Sequence, residues 1–183
     1  MPLVRLSPKR QARSDFSGPN RQYHESEAML VTVHLNDIIE ALDLQFDDSS
    51  SFLDLDTGQV ETVSHDLLSE AEDSDDDEEP DLAEWQKPEW ETARRIVSSG
   101  RFLELPTKHD VHEWAIMEKF SRSVESDRIR EDLLRAIHGA GAFRSFKDTL
   151  RRHGIEKAWF QFRDEAFRQI AIDWCTEHDI AWK

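Results

Sequence analysis

The 183-residue chain has one cysteine, Cys175, which excludes an internal disulfide and suits a reducing cytoplasm. No apolar run approaches the roughly 18 residues that a membrane helix needs, so no membrane partner is expected. The N-terminus has basic residues but no apolar stretch behind them, which is unlike a secretory signal. These absences place the protein in the cytoplasm. Positive charge is almost missing from residues 37 to 91, where 21 acidic residues stand against Lys87 alone, a local net of −20. That is more negative than the −16 of the whole chain. Residues 134 to 163 reverse the balance, with seven Lys or Arg against two acids, a local +5. The charge is therefore split along the sequence, and an isoelectric point of about 4.8 hides the split.

The apolar share of 38% against 34% charged residues leaves part of the chain with nothing to pack. Residues 1 to 28, rich in Arg, Ser, Pro, Gln and Asn, read as a disordered tail. Met29 directly precedes the first strand-like run, Leu30 to Leu35, and is a second candidate start of translation beside Met1. Residues 29 to 183 read as a single α+β domain: a small antiparallel N-terminal sheet and a C-terminal cluster of about four helices. Asn36 suits the cap of a short helix carrying Ile38, Ile39 and Leu42. Phe52 to Asp56 and Gln59 to Val63 alternate around Thr57-Gly58, the pattern of a β-hairpin.

Residues 65 to 71 suit a helical turn. Eight acids in the ten residues 72 to 81 then predict a solvated acidic loop. A helix over 89 to 98 ends at Gly100, and a strand follows over 101 to 105. Thr107 and Asp110 have capping-box spacing and open a helix through Trp114, Met117 and Phe120. Ser126 caps the next, which Gly139 and Gly141 end. A third puts Phe143, Phe146 and Leu150 on one side and Arg144, Lys147 and Arg151 on the adjoining stripe, with Gly154 as its stop. The fourth, from Ile155 to about His178, aligns Ile155, Trp159, Phe162, Ala166, Ile170 and Trp174.

Four segments in this order, Phe52 to Gly58, Leu105 to Trp114, Gly141 to Asp148 and Trp159 to Ala166, resemble a bacterial family catalogued as uncharacterised. The resemblance spans roughly Leu30 to Ile180. It implies no activity, cofactor or catalytic residue, so none is carried over, and the basic tail and acidic run look like departures from the common core.

Several patterns have both a chemical and a plain structural reading. Asp56-Thr57-Gly58 is similar to the nucleophilic turn of aspartic proteases, but Gln59 replaces the expected hydroxyl residue and the same residues serve a hairpin turn. Asp73, Asp75, Asp77, Asp81 and Glu84 match ligand positions of a calcium loop, yet Glu78 occupies the position that needs glycine and Pro80 follows. An acidic stretch that meets basic proteins, or imitates nucleic-acid phosphates, is the other reading there. His109, His112 and Glu113 would share one helical turn without either zinc-protease order. Cys175 and His178 are three apart, but beside Trp174 and Asp179 a packed cysteine is expected.

The Gly139-Ala140-Gly141 step is the stronger candidate. Glycines at a helix start let backbone amides approach an anion, and Arg144, Lys147, Arg151 and Arg152 follow. The run Ile137 to Gly141 partly resembles a helix-hairpin-helix element that grips DNA backbone, with Ser145 fitting and Asp148 departing from that pattern. A tight helix turn beside a solvated basic stripe is the plain alternative. Arg163 projects into the apolar stripe, either packed flat on an aromatic ring or anchoring a carboxylate of the chain or of a partner. The resulting expectation is a non-catalytic interaction module that meets an acidic protein partner or nucleic acid through its basic helical face, with no metal and no cofactor. The alternative is a phosphate-handling enzyme using the turn at 139–141 with His138 or His153.

Overall fold

The computed structural model describes residues 31–74 and 82–183. The tail expected over 1–28 and most of the expected acidic loop, residues 75–81, lie outside the described residues. The fold is α+β, with most of its helix C-terminal. Strand β1 (Thr32–Val33) leads into helix α1 (Leu35–Asp43), and β2 (Ser49–Asp54) and β3 (Val60–Ser64) form the hairpin. Helices α2 (His65–Asp73) and α3 (Lys87–Ser99) precede β4 (Phe102–Glu104). Then come α4 (Lys108–Val111), α5 (Glu113–Ser123), α6 (Asp127–Ala136), α7 (Ala142–His153), α8 (Glu156–Glu177) and β5 (Ala181–Trp182).

The three-stranded antiparallel sheet has the order β3-β2-β4. Its hairpin register pairs Leu53 with Val60 and Ser49 with Ser64, which makes the turn at Thr57-Gly58 as expected. Because side chains alternate across a strand, the sheet divides two cores. Leu53 points to the main one, shared with α1 and the C-terminal helices. Val63 points to a second, closed by Leu67 and Ala71 of α2 and Trp90 and Ala93 of α3. A separate parallel pair joins β1 to β5, with Thr32 opposite Ala181, so both ends of the described domain are fastened together.

Some elements differ from the sequence expectation. The first strand is shorter than 30–35, because Leu35 is used as the first buried position of α1 together with Ile38 and Leu42. Helix α2 reaches Asp73, so Glu72 and Asp73 are helical rather than part of a loop. The capping box forms, with Thr107 N–H donating to Asp110 Oδ2 at 2.8 Å, but it opens only α4. His112 then adopts a left-handed conformation (φ 48°) and α5 starts afresh. At 100° per residue, a straight helix would set Val111 about 140° away from Ile116. The break lets Val111, Ile116 and Met117 all reach the core. Ser126 does precede α6, without a side-chain capping bond.

The helical cluster closes on aromatic rings. Phe146 of α7 meets Trp159 of α8 edge-on at 4.9 Å between centroids, and Phe120 of α5 meets Trp159 at 5.3 Å and Phe162 at 5.5 Å. Such edge-to-face pairs add about 0.5–1.5 kcal/mol each beyond burial. Phe143 does not join them; it is 46% exposed.

Two side-chain constraints fix the hairpin. Gly58 has φ 73°, and a Cβ there would sit 3.3 Å from the Thr32 carbonyl oxygen, a backbone atom of β1 that cannot swing away. Asp54, fully buried, accepts from the N–H groups of Asp56 (2.8 Å) and Thr57 (3.2 Å) and takes the Arg95 guanidinium on its other oxygen. Burial alone would raise its pKa; the two backbone donors and Arg95 outweigh that and hold the carboxyl below its usual range.

Gly58→Ala is expected to lose at least about 1–2 kcal/mol, the left-handed penalty for a residue with a Cβ, with crowding against Thr32 added. A lower urea midpoint at unchanged slope would show it, and a midpoint equal to wild type would refute it. Asp54→Asn keeps an acceptor for the turn and removes the charge facing Arg95. Because the folded carboxyl titrates below the unfolded value of about 3.9, its stabilisation is complete well above that pH and lost as pH falls through the folded pKa. The variant should therefore be less stable than wild type at neutral pH, and the gap should shrink below about pH 4; a gap independent of pH would contradict the ionic role.

Candidate functional site

A concavity of about 810 Å³ lies between the segment from Leu44 to Ser51 and the segment from Glu104 to Trp114. Phe143, at the start of α7, completes its lining. Its surface is apolar in an unusual way. Leu44 is 65% exposed, Phe46 64%, Trp114 41% and Phe143 46%, and these four converge on this one cleft. Contiguous exposed apolar groups at a concave place mark binding surfaces more often than scattered ones do.

The cleft is held open by polar ties. Trp114 donates its indole N–H to the Ile137 carbonyl at 2.9 Å, and its ring lies 6.4 Å from that of His138. The indole face is thereby fixed while its polar edge is satisfied. Gln45 donates to the Pro106 carbonyl, and Lys108 pairs with Asp47 at 3.0 Å. The Lys108 ammonium, first through its hydrogen bond and then through its charge, holds the Asp47 carboxyl below its usual range. Three histidines, His65, His109 and His112, also line the cleft. Ser50 Oγ lies 3.1 Å from His65 Nε2 there, a contact that sequence spacing gives no sign of. Among the described residues, no three His, Cys, Asp or Glu side chains are grouped to hold a metal ion.

Arg163 ties the cleft from below. Its Nη2 donates to Asp43 at 2.6 Å, its Nε donates to Glu113 at 2.8 Å, and its guanidinium carbon stands 4.2 Å from the centre of the Phe167 ring. Burial alone would lower its pKa, and Glu113 and Asp43 more than reverse that. Both donors thus serve carboxylates of the chain itself. Asp43 and Glu113 immediately precede Leu44 and Trp114, so this one side chain fixes both walls of the cleft.

The basic residues of α7 fall into two groups. At 100° per residue, Lys147, Arg151 and Arg144 lie within about 60° of arc, and Lys147 is about 40° from Phe143. Arg152 points about 100° away from Arg151, off that stripe. Arg151 is engaged by Asp148 at 3.4 Å and Glu156 at 3.6 Å. Arg144, Lys147 and Arg152 are exposed and form no ion pair with a described residue. Gly139 (φ 85°) and Gly141 (φ 77°) make the turn between α6 and α7, and nothing lies within 4 Å of where their Cβ atoms would be. Backbone conformation, not close approach, therefore requires glycine at both.

The other sequence candidates lie apart from the cleft or inside the fold. His153 is held by Asp132 at 3.0 Å, and that hydrogen bond is the main reason the Asp132 carboxyl stays below its usual range. Asp56 of the protease-like turn is paired with Arg101 at 2.6 Å. Cys175 is buried, which pushes its thiol pKa up. His178 lies against Trp174 and bonds its carbonyl at 2.8 Å. Asp73 ends α2 and Glu84 pairs with Lys87; Asp75, Asp77 and Asp81 lie outside the described residues. No helix among the described residues is long and apolar enough to cross a membrane.

Comparison with known proteins agrees with the span of the resemblance seen in the sequence. A UPF0158 protein of Pseudomonas aeruginosa is 29% identical over 66 residues, which cover 36% of this chain and 43% of that protein. No solved structure matches the chain. The model of the uncharacterised protein family UPF0158 matches residues 27–182, and the chain belongs to that family.

Proposed function

We propose that the chain is a non-catalytic interaction module whose cleft receives an acidic protein partner. The observation that carries this reading is the convergence of Leu44, Phe46, Trp114 and Phe143 beside cations that pair with no described residue. Apolar anchors at the centre of a concave surface supply affinity, and charges at its margin supply orientation and selectivity. Lys147 follows Phe143 by one turn on the same side of α7, and Arg144 continues that margin. Of the carboxylates lining the cleft, Asp47 and Glu113 are already paired, which leaves Glu104 without an ion partner among the described residues.

Nucleic acid is the weaker choice on charge. Arg144, Lys147 and Arg152 would neutralise about three phosphates, for a salt slope of about −2.7, on a chain whose net charge is −16. The turn at 139–141, central to the phosphate-handling alternative, has one of its two histidines occupied, since Asp132 holds His153, and the other, His138, has no orienting carboxylate among the described residues.

Site-specific photocrosslinking in cells tests the reading. Benzoylphenylalanine replacing His109 or Phe143, both exposed and lining the cleft, should capture one and the same acidic protein, and the replacement of Phe160, exposed on α8, should not. With that protein purified, the Arg144→Glu and Lys147→Glu double variant should bind at least about tenfold more weakly, a change of about 1.4 kcal/mol. Nucleic-acid adducts, different proteins at the two positions, equal capture at position 160, or unaltered affinity in the double variant would each refute it.

A further inference from the structure

Among the described residues, no strand pairs with the outer edge of β3. Asp54 N–H donates to the Gln59 carbonyl at 2.9 Å and His65 N–H donates to the Asp48 carbonyl at 2.9 Å. This register turns the backbone groups of Gln59, Glu61, Val63 and His65 towards β2. Those of Val60, Thr62 and Ser64 therefore point away from the sheet, and β3 is its outermost strand. Ser64 N–H is taken by Glu89 Oε1 at 2.8 Å. The outward N–H and C=O of Val60 and Thr62 have no hydrogen-bond partner among the described residues. An edge strand in this condition is a template for another strand unless something guards it.

A shallow groove of about 510 Å³ runs beside this edge. Its walls are α1, through Asp37, Glu40 and Ala41, and the Leu44–Phe46 segment; its floor includes Val60 and Thr62. Asp37, Glu40 and Glu61, all lining it, form no ion pair with any described residue, and no Lys or Arg lines it. Three uncompensated carboxylates beside two unpaired backbone positions define both the shape and the charge of what fits.

We infer that β3 accepts an extended, basic segment of another protein as an added strand. The main-chain bonds are to Val60 and Thr62. Lys or Arg side chains at two alternate positions of the segment reach Asp37 and Glu40, and an apolar residue at the next alternate position, on the same face of the added strand, rests on Leu44 and Phe46. This interface is separate from the one proposed for the acidic partner: it uses the opposite charge and a different edge of the molecule, although Leu44 and Phe46 border both.

The probe is the peptide acetyl-Arg-Thr-Lys-Thr-Ile-Thr-Arg-amide, which presents Arg, Lys and Ile on one strand face, titrated into the full-length chain with amide hydrogen exchange followed by nuclear magnetic resonance. An added strand bonds its neighbour through every second amide only. N-methylation of one alternating set of peptide amides should therefore weaken binding at least tenfold, and methylation of the other set should leave it within about threefold. Exchange at Val60 and Thr62 should slow on binding. Asp37→Asn with Glu40→Gln should weaken binding at least fivefold, and the same peptide with Glu in place of Arg and Lys should not bind. Absence of binding by the parent peptide, equal tolerance of both methylated sets, or equal binding of the acidic peptide overturns the inference. So does slow exchange at Val60 and Thr62 in the free protein, because the edge would then already be covered by the chain itself or by a second copy.

Discussion

The guanidinium of Arg163 is the point at which the two halves of the domain meet. It comes from the first half of α8, stands over the ring of Phe167 one turn further along, and reaches Asp43 at the end of α1 and Glu113 at the start of α5. A planar fork with several donors suits this task, because it can hold two carboxylates at fixed angles while stacking on a ring; an ammonium on a flexible stem offers only a point charge. The consequence extends beyond stability. Leu44 follows Asp43 and Trp114 follows Glu113, so one half-buried cation helps to set the separation of the cleft walls. Gln45 to Pro106 and Trp114 to Ile137 are secondary ties that orient each wall once Arg163 has placed it.

Around that tie, the aromatic rings of α5, α7 and α8 form the rigid part of the molecule, and they decide which face of α7 is available. Phe146 and Leu150 are nearly completely buried, which forces Arg144, Lys147 and Arg151 to the outside of the helix. Pairing then thins the basic stripe: Arg151 is compensated by Asp148 and Glu156 and contributes little field to a partner. What remains is narrower than a ridge of four cations, and its position next to Phe143 matters more than its total charge.

The sequence made the helical repeats and the hairpin legible, because each rests on local chemistry. Burial at spacings of three and four marked α6 and α8, and the alternation around Thr57-Gly58 marked β2 and β3. Phe143 was misread for an instructive reason. Its spacing from Phe146 and Leu150 fits a buried face, yet it lies at the first turn of α7, beyond the end of the core, where periodicity no longer reports burial. The break at His112 was also hidden, since Thr107 and Asp110 correctly announce a helix start and nothing local announces that the helix lasts one turn. The cleft itself could not be read. It is assembled from Leu44 and Phe46, about sixty residues from Pro106 and about a hundred from Phe143, and only long-range ties, through the β2–β4 pairing, Gln45, Lys108 and Arg163, bring those segments together. Asp43 and Glu113 carried no motif, so the carboxylates that Arg163 holds were invisible until the fold placed them.

The division of charge along the chain acquires a spatial meaning in the fold. The acidic N-terminal part contributes the carboxylates of α1 and β3, and the basic C-terminal part contributes the α7 cations that pair with no described residue, with the wall of Leu44 and Phe46 standing between the two concavities. A molecule with a net charge of −16 is expected to repel acidic partners on approach, and screening confines that repulsion to about a Debye length, roughly 8 Å at physiological ionic strength. An acidic partner of the cleft must therefore be held by short-range contacts, which are apolar and are supplied by Phe46, Trp114 and Phe143. A basic segment at β3 would instead be steered by the long-range field and held by a few backbone bonds. The two surfaces would thus differ in kind: salt should bear mainly on the encounter rate at the β3 edge and mainly on orientation at the cleft.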